Sequence, residues 1–262
     1  MDTGGIMTFS GVVDGLSIQN NTITIRNTET AATSGHACYG ISFEITNGYA
    51  RDVSITGNSV TLYGGRGNTL LDFAEVNNFA VSNNTFTIAS GSIDASVGDY
   101  GMVIVGPTTG LRINDNTFSI KSGAGGGYGL IYDDWEYLGW GFPALGQENI
   151  ALYNNTFSFS STGPNYGLVF QDPSSGNTAV FYARIFENTF SGVMNTAFYF
   201  DASINPGTGS VFDLGGGALG SPGGNTVNGY TNWAVDNDSS IMIDARFNNW
   251  ESGYLFDGPV NW

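Results

Sequence analysis

Four aspartates, Asp133, Asp134, Asp172 and Asp201, close three successive apolar segments of the chain, YGLIYDD, YGLVFQD and AFYFDAS. Carboxyl groups gathered at one place can divide the work of glycoside hydrolysis. Like-charged neighbours keep one protonated as the general acid, and another activates water. Next to them the stretch 134–149 (DWEYLGWGFPALGQEN) carries Trp135, Tyr137, Trp140 and Phe142 around Glu136. Such rings cover the apolar face of a sugar while their N–H and O–H groups reach its hydroxyls. A catalytic set of Asp133, Asp134, Asp172 and Asp201 facing a substrate-binding wall of Trp135, Glu136, Tyr137, Trp140 and Phe142 therefore describes a site for extracellular polysaccharide. A lyase would use the same aspartates as hard oxygen ligands for Ca2+ and add a Lys or Arg base. Arg112 and Arg184 fall on strands of a different face, and Arg51 and Arg66 fall in loops. The plain structural alternative is that the carboxylates are turn residues and the aromatic stretch is a satellite core. His36 and Cys38 are too few for a structural zinc site, so no metal ligand is assigned.

These residues need a scaffold, and the sequence supplies one by repetition. LSIQNNTITI, VSITGNSVTL, FAVSNNTFTI, LRINDNTFSI, IALYNNTFSF, ARIFENTFSG, GGNTV and IDARFNNW each contain one reference asparagine: Asn21, Asn58, Asn84, Asn116, Asn155, Asn188, Asn225 and Asn248. Their separations of 37, 26, 32, 39, 33, 37 and 23 residues exclude a helical solenoid, whose repeats keep a common length. Within each phrase apolar and small polar residues alternate, the pattern of a half-buried strand, and the asparagine interrupts it at a corner. A third strand precedes the pair and reads Tyr-Gly-apolar, at Tyr39, Tyr100, Tyr128 and Tyr166, with looser versions at Ile6, Leu70, Ala197 and Ala234. Three short strands per turn with one asparagine per turn predict an all-β fold, a right-handed parallel β-helix of about eight coils with an asparagine ladder. Aligning the Tyr-Gly strands puts Glu44, Asp133, Gln171 and Asp201 at one position and Glu75, Asp134 and Asp172 at the next. Asp133 and Asp201 then stand two rungs apart, about 9 to 10 Å, at the upper end of the ~6.5 to 9.5 Å spacing of an inverting glycosidase.

The repeated G-x-x-I-x-x-N-x-F phrase resembles the parallel β-helix repeat of the pectin-lyase-like superfamily, over essentially the whole chain. Residues 212 to 250 are similar to the end of many bacterial secreted proteins built from such repeats, although Trp250 here runs into ESGYLFDGPVNW where a second Trp and Gly are usual. The resemblance implies a secreted or cell-surface protein. It leaves activity open, because this coil serves lyases, hydrolases, tail spikes and adhesins. The doubled Asp133–Asp134 is similar to that of polygalacturonase-type hydrolases, but their NTD, Gly-His-Gly and Arg-x-Lys motifs are missing. A non-enzymatic surface or adhesin-like repeat segment is therefore the alternative function.

Composition agrees with this class. Only 11% of the 262 residues are charged and 39 are glycine, while 41% are hydrophobic, enough to form a core. A net charge of −16 disfavours nucleic acid as a partner. No run of eighteen apolar residues predicts membrane insertion. Residues 1–262 read as one domain, with 251–262 as a C-terminal cap, while the barer N-terminal coil suggests a neighbouring domain or subunit. After each asparagine a Thr-x-Thr or Thr-x-Ser pair recurs, from Thr22 and Thr24 to Thr189 and Ser191. Stacked, these pairs resemble the ice-facing surface of β-solenoid antifreeze proteins, a third possible function. GGGALG, residues 215 to 220, reads as a turn.

Overall fold

The computed structural model describes residues 3–27, 37–133, 147–161, 163–171, 180–204, 209–251 and 255–262. Every strand pairing among them is parallel, and strands pair with their equivalents one repeat away, giving a right-handed parallel β-helix of about eight coils. Three faces run along its length. The first holds the Tyr-Gly strands, among them Asp99–Thr109, Gly127–Asp133, Asn165–Gln171, Met194–Phe200 and Tyr230–Asn237. The second holds Leu111–Asn114, Gln147–Tyr153, Val180–Phe186, Val211–Gly215 and Ile243–Ala245. In the second and third coils these two faces are continuous, as Cys38–Thr56 and Asn68–Ser82. The third face is a separate eight-stranded sheet running from Thr22–Arg26 to Asn249–Trp250.

The asparagine ladder sits between the second and third faces and is complete. Oδ1 of each ladder residue after Asn21 accepts both the backbone N–H and the Nδ2–H of the asparagine one coil before it, at 2.8 to 3.1 Å, from Asn21 on Asn58 to Asn225 on Asn248. An amide suits this place because one end accepts while the other donates, so the same residue serves both neighbours. The residue before each ladder asparagine is left-handed, with φ of 54, 56, 56, 55, 55 and 62° at Asn20, Asn83, Asp115, Asn154, Glu187 and Phe247, and with Gly57 and Gly224 completing the set.

The glycine of the Tyr-Gly phrase has a steric cause. A Cβ on Gly129 would lie 2.4 Å from the Gly167 carbonyl oxygen and 2.9 Å from Phe157 Cδ1, and Gly101 and Gly167 face the same obstruction from the next coil. Opposite them, Phe86, Phe118, Phe157 and Phe190 stack through the core with centroids 4.8 to 5.0 Å apart. Each ring buries fully and sets the spacing of its neighbours. At the far end Phe256–Asp257 pairs with Tyr230–Asn237, and Val260–Asn261 pairs with Ile243–Ala245. The last residues thus add a partial ninth rung, with Phe256 packed between Trp250 and Trp262. No helix among the described residues is long and apolar enough to cross a membrane.

The corner between the first and second faces changes character along the axis. In the first four coils it is a single left-handed residue: Gly15, Asp52, Asn78 and Gly110. In the last four, more residues separate the flanking strands, between Asp133 and Gln147, Gln171 and Val180, Phe200 and Val211, and Asn237 and Ile243.

Candidate functional site

The outer side of the first face, as it approaches this corner, gathers the ionisable groups. Asp133 pairs in register with Val105 on one side and Gln171 on the other. The column continues: the Asp201 N–H donates to the Phe170 carbonyl and the Asp238 N–H to the Phe200 carbonyl, so Asp201 stacks on Gln171 and Asp238 on Asp201. The neighbouring outward column carries Ile131, Val169, Tyr199, Asp236 and Asp257. Further from the corner, Tyr100, Tyr128 and Tyr166 stack at 5.0 and 5.5 Å. Their ring faces cover one another, so this column does not offer an open ring face for a sugar.

Tyr199 organises the acidic end. Its hydroxyl lies 3.1 Å from Asp201 Oδ2 and 3.0 Å from Asp238 Oδ2, so one phenolic proton is shared between two carboxylates. Burial raises the Tyr199 pKa, and the two carboxylates raise it further. Burial pushes the Asp201 carboxyl up, but the Ser203 side chain and N–H, the latter at 2.8 Å, and the Tyr199 hydroxyl outweigh it and leave Asp201 below its ordinary range. Asp236 goes the other way. Burial first, then the charges of Asp238 and Asp257, push it up to about 6. Two carboxyl groups one coil apart are thereby separated, one held ionised and one held protonated in mild acid, which is the division that acid/base hydrolysis needs.

Of the sequence-derived set, Asp201 is in this constellation, and the backbone of Asp133 occupies the same column two coils earlier. Asp134, Asp172, Trp135, Glu136, Tyr137, Trp140 and Phe142 lie outside the described residues, as does His36. Glu44 and Glu75 fall where regular strand register stops, after Phe43 and after Ala74. Cys38 is buried in the core. Among the described residues no three Asp, Glu, His or Cys side chains are placed to hold a metal ion. Tyr199, Asp236, Asp238 and Asp257 were not singled out from sequence; aligning VDND (235–238) under FYFD (198–201) would have placed Asp238 beneath Asp201.

Two other surfaces bear on function. On the third face the hydroxyl columns form as spaced: Thr22, Ser59, Thr85, Thr117, Thr156, Thr189 and Thr226 in one, and Thr24, Thr61, Thr87, Ser119, Ser158 and Ser191 in the other. GGGALG turns around the buried Asp213, whose carboxylate accepts the N–H groups of Gly217, Leu219 and Ser221. No protein-family model matches the chain, and neither does any curated protein or solved structure, so the site is defined by its own geometry.

Proposed function

We propose that this protein is an extracellular β-helix of the pectin-lyase-like kind that binds polysaccharide at the corner between its first and second faces and hydrolyses it with aspartates of the acidic column. The observation that carries this reading is the Tyr199 hydroxyl shared by Asp201 and Asp238, beside an Asp236 whose carboxyl is raised to about 6. In this reading Asp236 is the proton donor to the leaving oxygen and Asp201, kept ionised, is the base for water. The aromatic stretch 134–149 supplies the wall against which a sugar rests.

A polysaccharide panel assayed for retention and for new reducing ends tests it. Asp201→Asn and Asp236→Asn should abolish release while leaving retention within a few-fold of the parent. Release by the parent should fall as pH rises through about 6, where Asp236 loses its proton. A folded parent that retains no polysaccharide overturns the reading, and retention without release reduces it to a binding or surface-repeat role. The register of the third face supports a second reading, ice binding through its two hydroxyl columns. Thr85→Tyr and Thr117→Tyr would then abolish thermal hysteresis, and a parent without hysteresis excludes it.

A further inference from the structure

Six arginines serve this acidic chain, and three of them pair with carboxylates: Arg51 with Asp14, Arg66 with Asp94 and Arg246 with Asp244. Arg26 lies over the Tyr63 ring, 3.7 Å from its centroid. Among the described residues, Arg112 and Arg184 have no carboxylate within ion-pair distance. They occupy one outward column of the second face, Arg112–Ala151–Arg184, two rungs apart, about 9 to 10 Å. Each is drawn away from the other. Arg112 Nη2 donates to Asn78 Oδ1 at 3.0 Å, and Arg184 Nη2 donates to the Gly220 carbonyl at 3.3 Å. Asp213 follows Arg184 in the column, but its carboxylate accepts the N–H groups of the 217–221 turn and makes no ion pair with the guanidinium. Nε of Arg184 is buried and donates to nothing among the described residues.

Between the two arginines the small side chain of Ala151 leaves a groove of about 230 Å³, bordered by Gly110, Asn149, Tyr182 and Leu219. The strands that form it, Gln147–Tyr153 and Val180–Phe186, are the ones on which the chain resumes after 134–146 and 172–179. Gly110, the corner residue of the fourth coil, borders the groove, so the groove reaches the corner assigned to polysaccharide. We infer that it is an anion subsite, taking one sugar residue that bears a carboxylate or a sulfate ester. The sugar ring lies over Ala151 beside Tyr182, and the anionic group meets guanidinium donors, whose fork matches carboxylate and sulfate oxygens. This inference rests on the polysaccharide reading and gives it a ligand class: an acidic saccharide. An anionic group gains more from two guanidiniums without a carboxylate partner among the described residues than a neutral hydroxyl does, because its hydrogen bonds to them are charge-assisted.

The test is calorimetric titration with three probes: oligosaccharides of alternating glucuronate and N-acetylglucosamine, the same oligosaccharides after carboxyl reduction, and dextran sulfate. At least one anionic probe should bind more than tenfold tighter than the reduced one, and the two anionic probes separate carboxylate from sulfate. Arg112→Ala and Arg184→Ala should each weaken that binding tenfold or more, with Arg112→Lys intermediate and the circular dichroism unchanged. Equal affinity for reduced and anionic probes, or full affinity in both alanine variants, overturns the subsite while the polysaccharide reading stands. No binding of any saccharide, charged or neutral, overturns both.

Discussion

Replacing Asn155 by alanine and comparing it with Asn21→Ala measures how much the ladder contributes and whether its stacking is the reason. Asn155 is buried in the middle of the ladder. Its Nδ2 lies 2.8 to 3.0 Å from the carbonyls of Ile113 and Tyr153 and from Asn188 Oδ1, and its Oδ1 accepts the N–H and Nδ2–H of Asn116. Alanine removes the two hydrogens of Nδ2 and the two accepted bonds. At about 1 kcal/mol for each neutral hydrogen bond the loss is about 4 kcal/mol, and the stranded Asn116 N–H adds to it. Asn21 is exposed, its Oδ1 accepts nothing among the described residues, and its Nδ2 reaches only the Gln19 carbonyl and Asn58 Oδ1. Water replaces most of that, so Asn21→Ala should cost at most about 1 kcal/mol. Urea unfolding followed by circular dichroism and tryptophan fluorescence gives both values, with an unchanged slope confirming that the native surface is intact. Equal costs, or an Asn155→Ala loss below about 1.5 kcal/mol, would mean that the amides fill space at the corner and the sheets carry the stability.

Gly129→Ala sets a Cβ against the Gly167 carbonyl and Phe157, and should lower stability by roughly 1 to 3 kcal/mol; an unchanged melting temperature would remove the steric account of the Tyr-Gly phrase. Glu187→Asn relieves a left-handed residue at φ 55° and should add up to about 1 kcal/mol, read as a higher urea midpoint. Asp236 has a folded pKa of about 6 against 3.8 for the free side chain, so the folded state binds its proton more tightly and stability from this group falls as pH rises between about 4 and 6. Asp236→Asn should therefore raise the melting temperature at pH 7 and flatten its dependence across that window.

What the sequence discloses follows from how each interaction is encoded. The ladder is legible because its partner is its own equivalent, so one residue type recurs however much the intervening loops vary. The left-handed position beside it is not legible, because only backbone angle is shared there: Asn20, Gly57, Asp115, Glu187 and Phe247 have no common side-chain chemistry. Asp201 follows from the Tyr-Gly register through its looser version at Ala197, and the looser version at Ala234 carries that register on to Asp236 and Asp238, whereas Asp257 lies beyond the last copy of the phrase. The groove is half encoded. Sequence places Arg112 and Arg184 on another face from the aspartates, but Asn78 and the Gly220 carbonyl, which draw the two guanidiniums apart, come from other coils.

The two charged regions flank the same corner at different heights, and that offset has a mechanical consequence. Arg112 and Arg184 belong to the fourth and sixth coils on the second-face side, while Asp201, Asp236 and Asp238 belong to the seventh and eighth on the first-face side. A saccharide chain lying along the axis would meet guanidinium donors first and then Asp201, one rung after Arg184 and three after Arg112, about 5 and 15 Å on. If the proposed subsite is right, an anionic sugar would be held at the first station and repelled at the second, so a chain whose acidic residues are spaced by neutral ones would fit in a single register, with a neutral residue opposite Asp236. The net charge of −16 would then act selectively, keeping polyanions of uniform charge from the acidic end and leaving local recognition to Arg112 and Arg184, which have no carboxylate within ion-pair distance among the described residues.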